Sequence, residues 1–210
     1  MLDIKNCDCK ELMKEFPDKH FDLAIVDPPY GIDVTKMELG SGKYKSDKGW
    51  DSSAPDEEYF RELFRVSKNQ IIWGANHFLQ TIGRVRVINT PCWLVWNKNN
   101  GTSDFADAEL AWTSFENPVR LLTFGLTQQP QFDIKNRFHP TQKPTKLYEW
   151  ILSKFATEGM KILDTHLGSG SIAIACHGYK VDLVASEIDK EYFDKAMKRI
   201  NLLTSSNTLF

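Results

Sequence analysis

Apolar residues along the chain fall into two patterns: short continuous runs, and stretches spaced by three or four positions. The first marks buried strands and the second core-facing helices. Leu2 to Lys5 predicts a short strand leading into Asn6-Cys7-Asp8, and Leu12, Met13 and Phe16 predict a helix over about Lys10 to Phe16. Phe21 to Val26 is a mostly apolar run stopped by Asp27-Pro28-Pro29, the signature of a buried parallel strand. Asp56 to Lys68 places Phe60, Leu63 and Phe64 on one helical face, while Gln70 to Gly74, Cys92 to Trp96 and Glu109 to Phe115 predict further strands. A helix from about Thr145 to Ala156 buries Leu147, Ile151, Leu152 and Phe155. Met160 to Asp164 predicts a strand that runs into Leu167-Gly168-Ser169-Gly170-Ser171 and a helix through Ile172 to Cys176. Val181 to Ser186 predicts the next strand, ending on Glu187, and Phe193, Ala196, Met197, Ile200 and Leu203 form the core stripe of a last helix. Strands alternate with helices over most of the chain, so the expected class is α/β with a mainly parallel sheet.

One stretch breaks this pattern. Residues 31–54 are dominated by Gly, Ser, Lys and Asp and read as a long mobile loop. Such a loop inside a compact domain is usually functional or disordered. At 210 residues the chain suits one domain, 1–210, with no internal repeat. A formal net charge of −2 leaves no global basic field, so any nucleic-acid surface is expected as a local patch. Cys7, Cys9, Cys92 and Cys176 show no CxxC pair and no zinc-ligand spacing. No metal is expected from them, and they read as reduced thiols of a cytoplasmic protein. No segment approaches the length of a membrane span and no apolar signal core opens the chain, so no membrane partner is expected.

Candidate chemistry concentrates at two strand ends. In open α/β sheets ligands bind beyond the carboxyl ends of the strands, and Asp27 sits at such an end. Pro28 and Pro29 have no N–H and keep the preceding residue extended, so the segment offers carbonyl oxygens and a carboxylate but few donors. That edge suits a substrate group that only donates, such as an aromatic amine, with Tyr30 as a flat face for a base. The bland alternative is a strand-to-turn transition with a solvated Asp and a packing Tyr.

The second strand end is Asp164-Thr165-His166-Leu167-Gly168-Ser169-Gly170-Ser171, which follows a strand and opens a helix. Gly168 and Gly170 permit a tight turn and close approach of a ligand, and the helix N-terminus suits a carboxylate. Seventeen residues beyond Gly170, Glu187 ends the next strand, where an acid can bind ribose hydroxyls. Together these features point to a nucleoside-type cofactor, without separating a dinucleotide from S-adenosylmethionine (SAM).

Asp27-Pro28-Pro29-Tyr30, His139-Pro140-Thr141-Gln142-Lys143-Pro144 and the Gly168 loop occur in the order seen in β-class DNA amino-methyltransferases, whose circularly permuted sequence places the catalytic motif before the cofactor motif. The chain resembles that family over nearly its whole length, with Trp50-Asp51, Ile71-Ile72-Trp73-Gly74 and Trp96-Asn97-Lys98 as weaker points of likeness. The resemblance implies a Rossmann-like fold that binds SAM. It assigns Lys143 and the loop of Gly168, Ser169 and Gly170 to the methionine end, Glu187 to the ribose and Asp8 to the adenine. Asp164 and His166 would lie beside the cofactor, although the family usually carries Asp-Pro-Phe where this chain has Asp164-Thr165-His166.

The resemblance further implies methyl transfer to an exocyclic base amine in DNA. Asp27 and the Pro28 carbonyl would accept the two amine N–H bonds and localise the nitrogen lone pair, with no metal and no covalent nucleophile. An Asp at the first motif position favours adenine N6 over cytosine N4. Target contacts are expected between residues 97 and 138, including Arg120, Lys135 and Arg137, with Lys43, Lys45 and Lys48 adding phosphate contacts. So small a recognition region suggests a short target, a homodimer that shares the work, or loose specificity. The rival readings are a methyltransferase acting on cytosine N4, an RNA base or a protein glutamine, and a non-catalytic nucleic-acid-binding subunit. A restriction partner is left open.

Overall fold

The computed structural model describes residues 1–32, 53–101, 106–125, 128 and 137–205. Among the described residues eight strands form one sheet: β1 (Leu2–Lys5), β2 (Phe21–Val26), β3 (Ser67–Trp73), β4 (Trp93–Asn97), β5 (Ala108–Thr113), β6 (Arg120–Thr123), β7 (Lys161–Asp164) and β8 (Asp182–Ser186). Their spatial order is β1-β8-β7-β2-β3-β5-β4-β6, and only β5 runs antiparallel to both of its neighbours. Among the described residues six α-helices cover the faces: α1 (Cys9–Lys14), α2 (Glu57–Val66), α3 (Leu79–Val85), α4 (Thr145–Phe155), α5 (Ser171–Tyr179) and α6 (Lys190–Ser205).

Side-chain alternation along β2 builds both halves of the core. Leu23 and Ile25 pack with Leu147, Ile172 and Ile200 of α4, α5 and α6, whereas Ala24 and Val26 pack with Leu12, Phe60 and Ile82 of α1, α2 and α3. A strand buried on both faces must be apolar at nearly every position, which is why Phe21 to Val26 reads as one run. The mainly parallel α/β class is as the sequence predicts.

Several boundaries shift for local reasons. The first helix ends at Lys14, its Glu15 cap N–H bonding Leu12 O, because Pro17 disfavours helical backbone at the residue before it. Strand β3 starts at Ser67 rather than near Gln70: α2 runs straight into it, with the buried Ser67 hydroxyl donating back to Leu63 O at 2.5 Å. In α6 the stripe is completed by Tyr192, Ala196 and Ile200, with Met197 packed more loosely against them.

The sheet topology creates the site. From β2 the chain leaves towards β3, and from the adjacent β7 it leaves through α5 towards β8 on the opposite side. The connections therefore part above the β2–β7 pair and leave a crevice at its carboxyl end. No helix among the described residues is long and apolar enough to cross a membrane.

Candidate active site

A cleft of about 610 Å³ opens at that crevice. Asp27 and Pro29 border it from the end of β2, and His166, Gly168 and Ser169 from the turn after β7. Asp8, Lys143 and Glu187 also line it. Eight of the residues singled out in the sequence thus share one cavity, although they span the chain from Asp8 to Glu187.

The glycine turn is held by the acid at the end of β8. Gly168 and Gly170 adopt φ of +55° and +76°, the left-handed region open to glycine. Glu187 accepts from Gly168 N at 2.9 Å and from Asp189 N at 3.0 Å, tying the loop to the next strand end. Burial pushes the Glu187 carboxyl above its usual range, against these backbone donors. Asn6 closes the neighbouring edge by donating to the carbonyls of Glu187 and Ile188, and Asp8 caps α1 through the N–H groups of Lys10 and Glu11. Ser169 and Ser171 are joined through their hydroxyls, and Ser171 donates to Lys143 O at 2.7 Å. Arg199, buried in α6, donates to Ser169 O, Ser171 Oγ and Thr145 Oγ1 and so fastens the turn to the start of α4.

Behind the cleft, Asp164 is buried and accepts from His166 N at 3.0 Å. Burial pushes its carboxyl up to about 8. His166 is lowered to about 4 by burial, so its ring is neutral and serves as an aromatic wall. The ring meets Tyr59 edge-on at 5.6 Å, and its Nδ1 lies 2.9 Å from the Thr165 hydroxyl, which in turn bonds Tyr59 Oη at 2.7 Å. Thr165 and His166 are therefore integrated by a polar network that a Pro-Phe pair does not need.

The Asp27 carboxylate is engaged on both oxygens. Tyr30 Oη donates to Oδ1 at 2.9 Å, and Lys143 Nζ lies 2.5 Å from Oδ2. Lys143 is only 4% exposed and also pairs with Glu109 Oε2 at 2.9 Å, while Lys98 pairs with Glu109 Oε1 at 2.6 Å. Burial pushes Asp27 above the usual carboxylate range despite Lys143. Desolvation also acts on the half-buried Glu109, but Lys143 and Lys98 outweigh that effect and bring it down to about 2. Burial disfavours the Lys143 charge, and the two carboxylates overcome it and hold the ammonium above its ordinary range. Two carboxylates and two ammonium groups thus form a balanced cluster around Lys143, the condition under which buried charges are tolerated.

Not every candidate is placed as the sequence suggests. Tyr30 is packed behind Asp27, its ring stacked on His77 at 4.9 Å and 16°, so one face of the expected stacking platform is already covered. Pro28 is buried in the strand-end turn, and Lys143 points its ammonium at Asp27 and Glu109. His139 is lowered to about 3 by burial and packs against Tyr192 at 4.5 Å. Arg137 donates to Pro140 O at 2.6 Å, stiffening the His139 segment, whereas Arg120 is exposed on the edge strand β6. The stretch expected as a recognition insertion contributes β5 and β6 to the main sheet. Lys43, Lys45, Lys48, Lys135 and Trp50-Asp51 lie outside the described residues, as does most of the 31–54 loop. All four cysteines are free. Glu109, Lys98, Tyr59 and Arg199 were not legible as site residues, although a lone Glu in the otherwise apolar run Ala-Glu-Leu-Ala-Trp was a usable signal for the first.

A sequence model of the N6/N4 amino-methyltransferases, described as DNA methylase, matches residues 91–198, just over half of the chain. The chain is similar to the type II methyltransferase M.HpaI of Haemophilus parainfluenzae, at 38% identity over 90% of this chain and 71% of that protein. The chain belongs to the N6/N4 DNA methylase family. The methylase shares its fold with M1.HpyAVI, solved as a SAM complex: the TM-score is 0.64 at 22% identity, covering 95% of this chain and 100% of the other. The cytosine-N4-specific PvuII DNA methyltransferase is similar in fold too, with a TM-score of 0.65 at 12% identity over 97% and 91% of the two chains.

Proposed function

We propose that this methylase is a SAM-dependent enzyme of the permuted β class that transfers a methyl group to the exocyclic N6 amine of adenine in DNA. The observation that carries the reading is the Asp27 carboxylate, held by Tyr30 and Lys143, bordering the same cleft as the Gly168 turn. The cleft suits a nucleoside-sized ligand, since about 610 Å³ falls within the roughly 300–1,000 Å³ of small-molecule sites. Gln142 Oε1 is a buried acceptor with no partner among the described residues, at a position bordering the cleft. A ligand carrying an ammonium group and ribose hydroxyls, as SAM does, fits such a donor-seeking wall. Gly168, Ser169 and Gly170 would meet the methionine end beside Gln142 and Lys143, Glu187 the ribose and Asp8 the adenine. Asp164 and His166 would support that binding surface from below.

When bound, SAM supplies an electrophilic methyl group. Asp27 and the Pro28 carbonyl accept the N–H bonds of the target amine, drawing its nitrogen towards tetrahedral geometry. Tyr30 fixes the Asp27 carboxylate, and Asp27 or a water beyond it takes the proton as positive charge develops on the nitrogen. Most of the acceleration comes from orientation and electrostatic placement. The base has to leave its stack to reach the cleft. Lys43, Lys45, Lys48, Lys135 and Arg120 supply phosphate contacts, with Arg137 ordering the segment beside them. We read 1–210 as a single domain with 97–138 as its target-recognition region, working on a short target or as a homodimer; the 31–54 stretch lies mostly outside the described residues.

The test is mass spectrometry of nucleosides from DNA incubated with the protein and SAM. N6-methyladenine is expected; N4-methylcytosine in its place would overturn the adenine reading, and no methylated base would overturn the enzyme reading. Asp27→Ala is expected to abolish transfer while leaving SAM affinity within about threefold, a change of no more than about 0.7 kcal/mol.

A further inference from the structure

We infer that Glu109 is a positioning residue for methyl transfer: it holds Lys143 so that the Asp27 carboxylate can be released to the target amine. The inference rests on the function proposed above and concerns a residue outside the Asp27 tetrapeptide. Lys143 Nζ stands between Asp27 Oδ2 at 2.5 Å and Glu109 Oε2 at 2.9 Å. It therefore has two alternative counter-ions within one contact distance. The remaining Asp27 oxygen accepts from Tyr30, whose hydroxyl also lies 3.5 Å from Glu109 Oε2 and 3.4 Å from Lys143 Nζ.

An incoming amine is a neutral donor, and it competes poorly with an ammonium for a carboxylate lone pair. With Glu109 present, Lys143 gives up Oδ2 by shifting towards a partner it already touches, and no charge is left unpaired. Without Glu109, Asp27 is the sole counter-ion of Lys143, and accepting the amine means opening a buried ion pair. Lys98, on the far oxygen of Glu109, keeps that carboxylate ionised and anchored. Lys143 thus serves as a latch on Asp27, and Glu109 as the second seat that lets the latch open.

The charge signs make the wiring testable. Asp27 is faced by Lys143, Glu109 and Tyr30, with Tyr148 of α4, Tyr59 of α2 and Asp164 at the end of β7 also sensing its charge. Glu109→Gln removes a like charge, so the acid limb of kcat should move to lower pH, while kcat itself falls roughly 10–100-fold, the range for a group acting through another. The KM for SAM should change by less than about twofold. Lys143→Met leaves two carboxylates facing each other, so the acid limb should move to higher pH and kcat should fall further. Adding Glu109→Gln to Lys143→Met should raise kcat again by about 10-fold, because the repulsion is gone. Glu109→Asp keeps the charge and should keep the wild-type pH profile.

Carboxyl-13C NMR of Asp27 gives a readout that needs no turnover, with opposite shifts of its titration midpoint expected in the two single variants. A double variant no better than Lys143→Met, or a Glu109→Gln enzyme with unchanged kcat and pH profile, would overturn the inference. A wild-type protein that methylates no base sinks both the function and this role. NMR shifts of one sign in both single variants sink the wiring alone.

Discussion

Gly74 offers the sharpest test of how the Asp27 site is built. It lies at the end of β3 with φ of +66°, and a Cβ placed there would stand 2.2 Å from Tyr30 Cε1 and 2.6 Å from Cζ. Ordinary carbon contact begins at about 3.5 Å, so in Gly74→Ala the Tyr30 ring must retreat by roughly 1.3 Å or more. The His77 ring stacked on Tyr30 and the edge-on Phe78 ring restrict where it can go. The Tyr30–Asp27 hydrogen bond, 2.9 Å in the native protein, is then stretched beyond useful length. Left-handed backbone at an L-residue adds about 1–2 kcal/mol and overpacking about 1–3 kcal/mol, against which a stiffer unfolded chain returns about 0.4–1 kcal/mol.

The net expectation is a loss of roughly 2–4 kcal/mol in urea unfolding, together with a fall in kcat of up to about 100-fold from the misplaced carboxylate. Gly83 is the internal control. It lies inside α3 with ordinary backbone and nothing within 4 Å of its Cβ position, so Gly83→Ala should stabilise the protein by about 0.5–1 kcal/mol. Combining Gly74→Ala with Tyr30→Ala should remove the overpacking part of the loss and leave the backbone part, giving a clearly sub-additive pair. A Gly74→Ala protein that loses less than about 1 kcal/mol and keeps full kcat would refute the packing of Tyr30 against this turn.

Two further outcomes concern the turn after β7. In Gly170→Ala the new methyl meets Ile200 Cδ1 at 2.8 Å and the backbone keeps a φ of +76°, so SAM affinity measured by calorimetry should weaken and stability should fall by about 1–3 kcal/mol. His166, lowered to about 4 by burial, binds its proton more readily in the unfolded chain. Its contribution is therefore complete above an unfolded pKa of about 6.5 and is lost as pH falls towards 4. His166→Phe has no such proton to bind, so between pH 6.5 and 4 it should lose about 3 kcal/mol less stability than the wild type in parallel urea titrations. Identical pH slopes for the two proteins would show that His166 is charged or solvated in the native state.

What the sequence made legible was whatever acts through local pattern. Residues 21–26, 161–164 and 182–186 announce themselves as strands because a sheet covered on both faces demands apolar residues at nearly every position. Strand β6 has no such mark. Arg120, Leu121 and Thr123 are exposed, and the strand exists because β4 supplies a parallel partner, a long-range pairing with no local trace. The short α3 was equally silent, with only Ile82 fully buried and Gly83 in its middle.

The same division runs through the site. Asp27, the Gly168 turn and Glu187 were readable because each ends a strand, where sheet topology gathers ligand-binding groups. The contact between Lys143 and Asp27 spans 116 residues and was not readable, because a lysine in a proline-flanked turn carries no sign of which carboxylate it will meet. Charge balance nevertheless constrains the answer after the fact. A lysine that is 4% exposed has to find anions, and the crevice supplies Asp27 from β2 and Glu109 from β5. Glu109 is a carboxylate set in an apolar strand, where it is unstable without a cation. Glu109, misplaced by its local pattern, and Lys143, buried out of a turn, are thus each accounted for by the other. Buried charge in an otherwise apolar element is accordingly the sequence feature from which the rest of this cluster could have been sought.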